Sequence, residues 1–207
     1  MLSELTDKNA DIQKMAEKAI GDGDVLSQLL DGLEIKEETY RYNCHKVLML
    51  ISKTKPEMLY PAWDYLVGHL SSVNSYHKMS ATLLLANIVA VDQENMFDDI
   101  FDVFYRLLDD RSMVVAYYVA SSSANIIRAK PHLQEIIIDS LLDIDSTHHP
   151  TGRKEMIKTG IIETLDAIYE DYENKPRLME FVEKQVDSES RKTAKTARAF
   201  IVRWVGN

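Results

Sequence analysis

The stretch "DDRSMVVAYYVASSSANIIRA" (residues 109–129) decides the fold. It has no Gly or Pro and is long enough for a helix, yet its middle is Ala120, Ser121, Ser122, Ser123 and Ala124. A buried helix with so many small side chains needs a neighbour whose axis runs very close, because helices packed near the tight end of the usual spacing have no room for larger ones. The same stretch also has an echo. "ANIIRAKPH" at 124–132 matches "ANIVAVDQE" at 86–94, at an offset of 38, and "LISKTKPE" at 50–57 fits at an offset of 37. Self-similarity at such a period marks an array of stacked units, each burying a face against the next.

Each copy has one grammar. A long apolar-periodic helix runs into a break at Pro56, Asp92 or Pro131, and a second helix follows: "EMLYPAWDYLVGHL", "NMFDDIFDVFYRLL" or "LQEIIIDSLLDI". Pro suits a first helical turn, where its missing N–H would be unpaired anyway. Polar turns follow, "SSVNS", "DDRS" and "DSTHHPTG", whose Asp and Ser are good N-caps. "TDKNADIQKMAEKAI" and "GDVLSQLLDGL", split at Gly21–Gly23, form a first pair. "GRKEMIKTGIIETLDAIYEDY" and "KPRLMEFVEKQV" form a fifth. "SESRKTAKTARAFIVRWV" is a last helix, whose Trp204 is expected to pack back onto the fifth pair while Arg191, Lys195 and Arg198 face water. The expectation is about eleven helices and no strand, in one domain over 1–207.

Composition agrees. Hydrophobic residues are 45% of the 207, charged residues 28%, and 7 Gly and 5 Pro are too few for the turns of an all-β chain. Cys44 is the only cysteine, so an intrachain disulfide and a zinc site built on several Cys are excluded. The sequence has no apolar signal core at its start and no long apolar run, which reads as cytoplasmic with no membrane span. Net charge is −9; residues 1–38 hold 4 basic and 10 acidic residues, residues 148–207 hold 11 and 10. That sign repels phosphate backbones at long range and disfavours nucleic acid as a partner.

The period, the paired helices, and the inter-repeat stretches "DDRSMVVAYYVASSSANII" and "DSESRKTAKTARAF" resemble the HEAT-repeat family of the armadillo-like solenoids. The likeness covers nearly the whole chain. It implies an all-α fold of about five helix pairs plus a final helix in a right-handed α-α superhelix, with second helices lining the concave side. The Trp–Leu–Gly–Tyr signature of tetratricopeptide repeats is absent.

Functional candidates are few. No Gly-x-Ser-x-Gly elbow surrounds the serines, so "SSSA" reads as close packing. "DIDSTHHP" offers Asp143, Asp145, His148 and His149 within a short span, but without helical i, i+4 spacing, and reads as a solvated loop. The other His are scattered, so no metal, cofactor or triad constellation is expected. In "YPAWDYL", Trp63 aligns with Ile100 and Ile138 and reads as core, while Tyr60 and Asp64 fall on another face of the same second helix. These two begin a ladder: Asp64 aligns with Asp102 and Asp139, and Tyr60 with Asp98 and Glu135. Like charges at i, i+4 cost a few tenths of a kcal/mol. Asn87 and Asn125 read as structural amides bridging to a neighbouring turn. The late basic residues Arg153, Lys154, Lys158, Arg191, Lys192, Lys195 and Arg198 read as a solvated face. With the implied concave surface, the ladder becomes an acidic strip for a basic segment of a protein partner, held by a non-enzymatic scaffold. The resemblance also admits an enzyme, since some HEAT-like proteins are DNA glycosylases that excise alkylated bases with concave Trp and Asp residues. The negative charge argues against that alternative.

Overall fold

The computed structural model describes residues 2–206. The chain forms two compact units, residues 1–98 and 99–207. Eleven α-helices and no strand occur among the described residues. In the first unit these are α1 (Ile12–Gly21), α2 (Gly23–Asp31), α3 (Glu38–Thr54), α4 (Trp63–His69) and α5 (Ser75–Ile88). Helix α6 (Met96–Tyr105) carries the chain into the second unit, which adds α7 (Met113–Ala129), α8 (Gln134–Leu142), α9 (Thr151–Ile168), α10 (Lys175–Glu183) and α11 (Arg191–Trp204).

The starts of these helices follow from local chemistry. The Asp22 carboxylate accepts from the N–H of Asp24 and Val25, so one residue between two glycines ends α1 and begins α2. Glu37, Asn74 and Ser190 cap α3, α5 and α11 in the same way. Ser112 does not cap α7 with its side chain; its N–H instead donates to Asp110 at 2.8 Å. The second helices are shorter than the repeat grammar predicts. Pro56 and Pro131 open short 3-10 turns, Pro56–Met58 and Pro131–Leu133, and Pro61 sits in another, Tyr60–Ala62. A proline cannot donate back along an α-helix, so α4 starts only at Trp63.

In the second unit, α7 and α9 show why the serine-rich stretch exists. A Cβ on Gly160 would lie 2.9 Å from the carbonyl oxygen of Tyr117 and 3.2 Å from Ser121 Cβ. Backbone meets backbone here, and only Ala, Ser and Gly fit. The buried hydroxyls are satisfied within the helices: Ser122 and Ser123 donate to the carbonyls of Tyr118 and Val119 at 2.6 and 2.8 Å, and Thr164 of α9 donates to the Ala120 carbonyl at 2.6 Å. The Tyr105 hydroxyl donates to Ser123 at 3.1 Å. Helix α11 closes onto α9 through Thr193, which donates to the Glu155 carbonyl at 2.5 Å. Trp204 packs on Tyr169 with ring centroids 4.8 Å apart and donates its indole N–H to Asp166 at 2.8 Å, while Arg191, Lys195 and Arg198 are exposed.

The first unit uses the same spacing of partners. Tyr65 donates to the Leu30 carbonyl, Tyr76 to that of Arg41, and Asn87 to Ser52, each across 35 residues. Asn87 thus bridges to the preceding first helix, α3.

Gly160→Ala should destabilise the protein by roughly 1–3 kcal/mol, the usual cost of overpacking, despite alanine's better helix propensity. Gly68→Ala, where nothing lies within 4 Å of the new methyl, should be neutral or stabilising by up to about 1 kcal/mol. Urea unfolding of the two variants checks both signs. A second expectation concerns acid. His45 is buried with no partner for its Nδ1, and burial pushes its imidazole down to about 4 from the ordinary 6.5. The unfolded ring takes up its proton first, so this stability is whole above about pH 6.5 and is lost as pH falls towards 4. The urea midpoint of His45→Leu should therefore fall less between about pH 7 and pH 4 than that of the parent chain; equal slopes would refute the assignment.

Candidate functional site

The ladder residues lie where helical spacing puts them, but their surroundings differ. Asp64 is exposed in the first turn of α4, and Asp98 and Asp102 are exposed on α6. Among the described residues, neither Asp64 nor Asp102 has an ion-pair partner. Tyr60 departs from the expectation. It stands in the 3-10 turn before α4, tilted over Trp63 with centroids 5.7 Å apart, and its hydroxyl donates to Asp92 at 2.8 Å. Burial, then the Asp92 carboxylate beside it, push the phenol up to about 12. Asp92 also accepts from the N–H of Met96 and Phe97, both at 3.0 Å, so it fixes the start of α6 and holds Tyr60 in one stroke. Trp63 is 3% exposed and belongs to the core, as its alignment with two isoleucines predicts.

In the second unit, Glu135 and Asp139 on α8 are not a bare acidic face. Arg177 of α10 pairs with Asp139 and reaches Glu135 at 3.5 Å, and Tyr172 donates to Glu135 at 3.1 Å. The sequence carried the signal for this: one further offset of 38 from Asp139 lands on Arg177, so the ladder ends in a cation.

Two other clusters differ from the sequence reading. The late basic residues are not all solvated. Lys158 has a side chain only 8% exposed, held between Glu155 at 2.9 Å and Asp145 at 3.1 Å. Burial opposes its charge, but the two carboxylates win and its ammonium sits above the ordinary lysine range. The loop "DIDSTHHP" is likewise tied down: His148 donates its backbone N–H to Asp109 at 2.7 Å, the two His rings stack at 4.6 Å, and His149 is buried against the Leu108 carbonyl at 3.0 Å. The third cluster was missed altogether. Glu34 and the two histidines read as scattered, His69 and His77, place one ligand-capable atom each within 4.8 Å of the others. Glu34 and His69 lie 35 residues apart, near the repeat period, and His77 follows across one inter-repeat turn.

No protein-family model and no curated protein matches this chain. Among solved structures it is similar to a designed armadillo repeat protein, YIII(Dq)4CqI, with a TM-score of 0.56 at 18% identity over 96% of this chain and 97% of that one. An engineered protein from the Northeast Structural Genomics Consortium reaches a TM-score of 0.49 at 17% identity, over 95% and 90%. The first likeness shows the fold: an all-α, armadillo-like helical repeat. At this identity it speaks for the fold alone. No helix among the described residues is long and apolar enough to cross a membrane.

The Lys158 bridge has a measurable consequence. Lys158→Met should cost roughly 1–3 kcal/mol, because Glu155 then keeps a buried charge without its ammonium partner. Lys195→Met, at an exposed position of α11, should stay within about 0.5 kcal/mol. Denaturant midpoints of the two variants separate the bridging lysine from a solvated one.

Proposed function

We propose that the protein is a non-enzymatic, HEAT-like scaffold that holds a basic segment of a protein partner against carboxylates of its second helices. The observation that carries this reading is the exposure of Asp64, Asp98 and Asp102 at matched repeat positions, on a chain of net charge −9. The HEAT-like assignment rests on two helices per repeat, where armadillo units have three. Exposed carboxylates attract cationic side chains weakly per pair, and an array of them steers and orients a partner more than it anchors it. Specificity then has to come from apolar contacts around the array. The DNA glycosylase alternative is disfavoured by particular residues. An enzyme that flips a base holds it in a pocket, stacked between aromatic or apolar side chains. Trp63 is in the core, and the Tyr60 hydroxyl is engaged by Asp92.

The surroundings rank the acids. Asp64 and Asp102 are available to a partner's cations, whereas Asp139 has to be drawn from Arg177 first. The test is binding of labelled lysine- and arginine-containing peptides, helical and extended, by fluorescence anisotropy across a salt series. The Asp64→Asn, Asp102→Asn, Asp139→Asn triple variant should bind more weakly, at roughly 0–1 kcal/mol per lost pair, and with a shallower salt dependence. Single changes at Asp64 and Asp102 should each weaken binding more than the one at Asp139. No measurable binding of any basic peptide by the parent chain, or affinity and salt dependence unchanged in the triple variant, would overturn the reading.

A further inference from the structure

The residues Glu34, His69 and His77 belong to three separate segments of the first unit. Glu34 ends the 3-10 turn Gly32–Glu34 that follows α2; His69 is the last residue of α4; His77 lies in the first turn of α5. The stacking of repeats brings Glu34 to His69, and the turn between α4 and α5 brings His77 to them. His69 Nε2 and Glu34 Oε1 are 2.6 Å apart. The His69 and His77 rings have centroids 5.2 Å apart. One nitrogen from each ring and one Glu34 oxygen all fall within 4.8 Å of one another.

The surroundings fix the rings. Tyr65 packs edge-on against His69 with centroids at 4.4 Å, and the Tyr65 hydroxyl is itself anchored on the Leu30 carbonyl. The Ser72 hydroxyl lies 3.3 Å from His77 Nδ1, a contact that restrains the plane of the second ring. Such outer partners are what orient imidazoles towards an ion. The His69 side chain is 13% exposed and that of Glu34 49%, so the imidazoles are sheltered and the carboxylate can swing.

We propose that Glu34, His69 and His77 form a site for a divalent transition-metal ion of the zinc class. Two imidazole nitrogens and one carboxylate oxygen are a donor set that suits zinc, copper or nickel and not calcium or magnesium, which take mainly oxygen. Three protein ligands leave a fourth position for water. With metal–ligand bonds of about 2.0–2.1 Å, tetrahedral donors sit about 3.3 Å apart. The Glu34–His69 pair is already closer than that and opens to admit the ion, while His77, whose donor atom lies within 4.8 Å of both, closes in by side-chain rotation. On binding, the ion takes the place of the hydrogen between His69 Nε2 and Glu34 Oε1, and that hydrogen moves to His69 Nδ1 or, from an imidazolium, to solvent. The ion then staples the ends of two second helices to the start of the next first helix.

The experiment uses the full chain, stripped with chelator and titrated with zinc and separately with cobalt(II). One equivalent of zinc should bind by calorimetry, raise the melting temperature, and be competed by cobalt(II), whose visible absorption should report a low-coordinate site with nitrogen ligands. Glu34→Gln and His77→Ala should each lower zinc affinity at least about tenfold, the loss expected when even an outer partner of a metal site is removed. Glu34 is exposed, so its variant should keep the parent's circular dichroism. His148→Ala, in the other unit, should bind zinc as the parent does. Absence of saturable one-to-one binding would overturn the proposal. So would parental affinity in the Glu34→Gln and His77→Ala variants, which would place any bound zinc elsewhere.

Discussion

A carbonyl oxygen 2.9 Å from where a side chain would begin sets the seam between α7 and α9 in the second unit. It lies at Gly160 against Tyr117, and much of the sequence around it follows. Two helices at that distance have no room for large side chains where they meet, so α7 holds Ala120 and Ser121 to Ser123 at its middle. Small polar residues solve the packing and create a second problem, since a buried hydroxyl without a partner costs roughly 1–3 kcal/mol. The helices answer it internally: Ser122 and Ser123 turn back to their own carbonyls, and Thr164 uses the Ala120 carbonyl across the gap. Leucines and isoleucines are relegated to the flanks of this seam, where Ile126, Ile161 and Leu165 are fully buried.

The repeat length then governs the polar contacts as well as the apolar ones. Hydrogen bonds between elements recur at separations of 35 residues in the first unit, and at 37 to 39 in the second, where Arg203 reaches Asp166 and Arg128 reaches the Ala167 carbonyl. A helix pair therefore does not complete its own polar accounting. It relies on the pair one period away, which is the behaviour of a quasi-one-dimensional array in which each unit contacts its neighbours only. Charges follow the same rule. Arg177 answers the acids of α8 from one period later, and a surface that looks acidic on one helix is balanced by the next.

The helices, their number and the close seam were legible because they depend on patterns a few residues long: apolar periodicity, caps, and a run of small side chains. The second helices were drawn too long, because Pro56 and Pro131, which read as helix openings, and Pro61, which reads as helix interior, in fact hold short 3-10 turns ahead of α4 and α8. Lys158 was misplaced for a related reason. A helical wheel sees only its own helix, whereas Asp145 comes from the preceding turn and Glu155 folds inward to meet it. The cluster of Glu34, His69 and His77 escaped because aligning repeats compares equivalent positions. These three are inequivalent: an end, the next end, and the following start. Repeat stacking brings Glu34 to His69, and the turn between α4 and α5 brings His77 to both.

This distinction between equivalent and inequivalent positions separates the surface acids by what they can do. Where the ladder's own register supplies a cation, as at Arg177, the carboxylates stabilise the stack and their charge is largely spent within it. Where the register supplies another acid, as from Asp64 to Asp102, no partner of opposite sign stands one period away, and the field projects into solvent. The chain's charge is distributed in the same sense, with 10 acidic against 4 basic residues in 1–38 and near balance in 148–207. An array built by repetition can place like charges in line only where the structure does not use them to hold neighbouring units together. In this protein Asp64 and Asp102 are such carboxylates, exposed and without an ion-pair partner among the described residues.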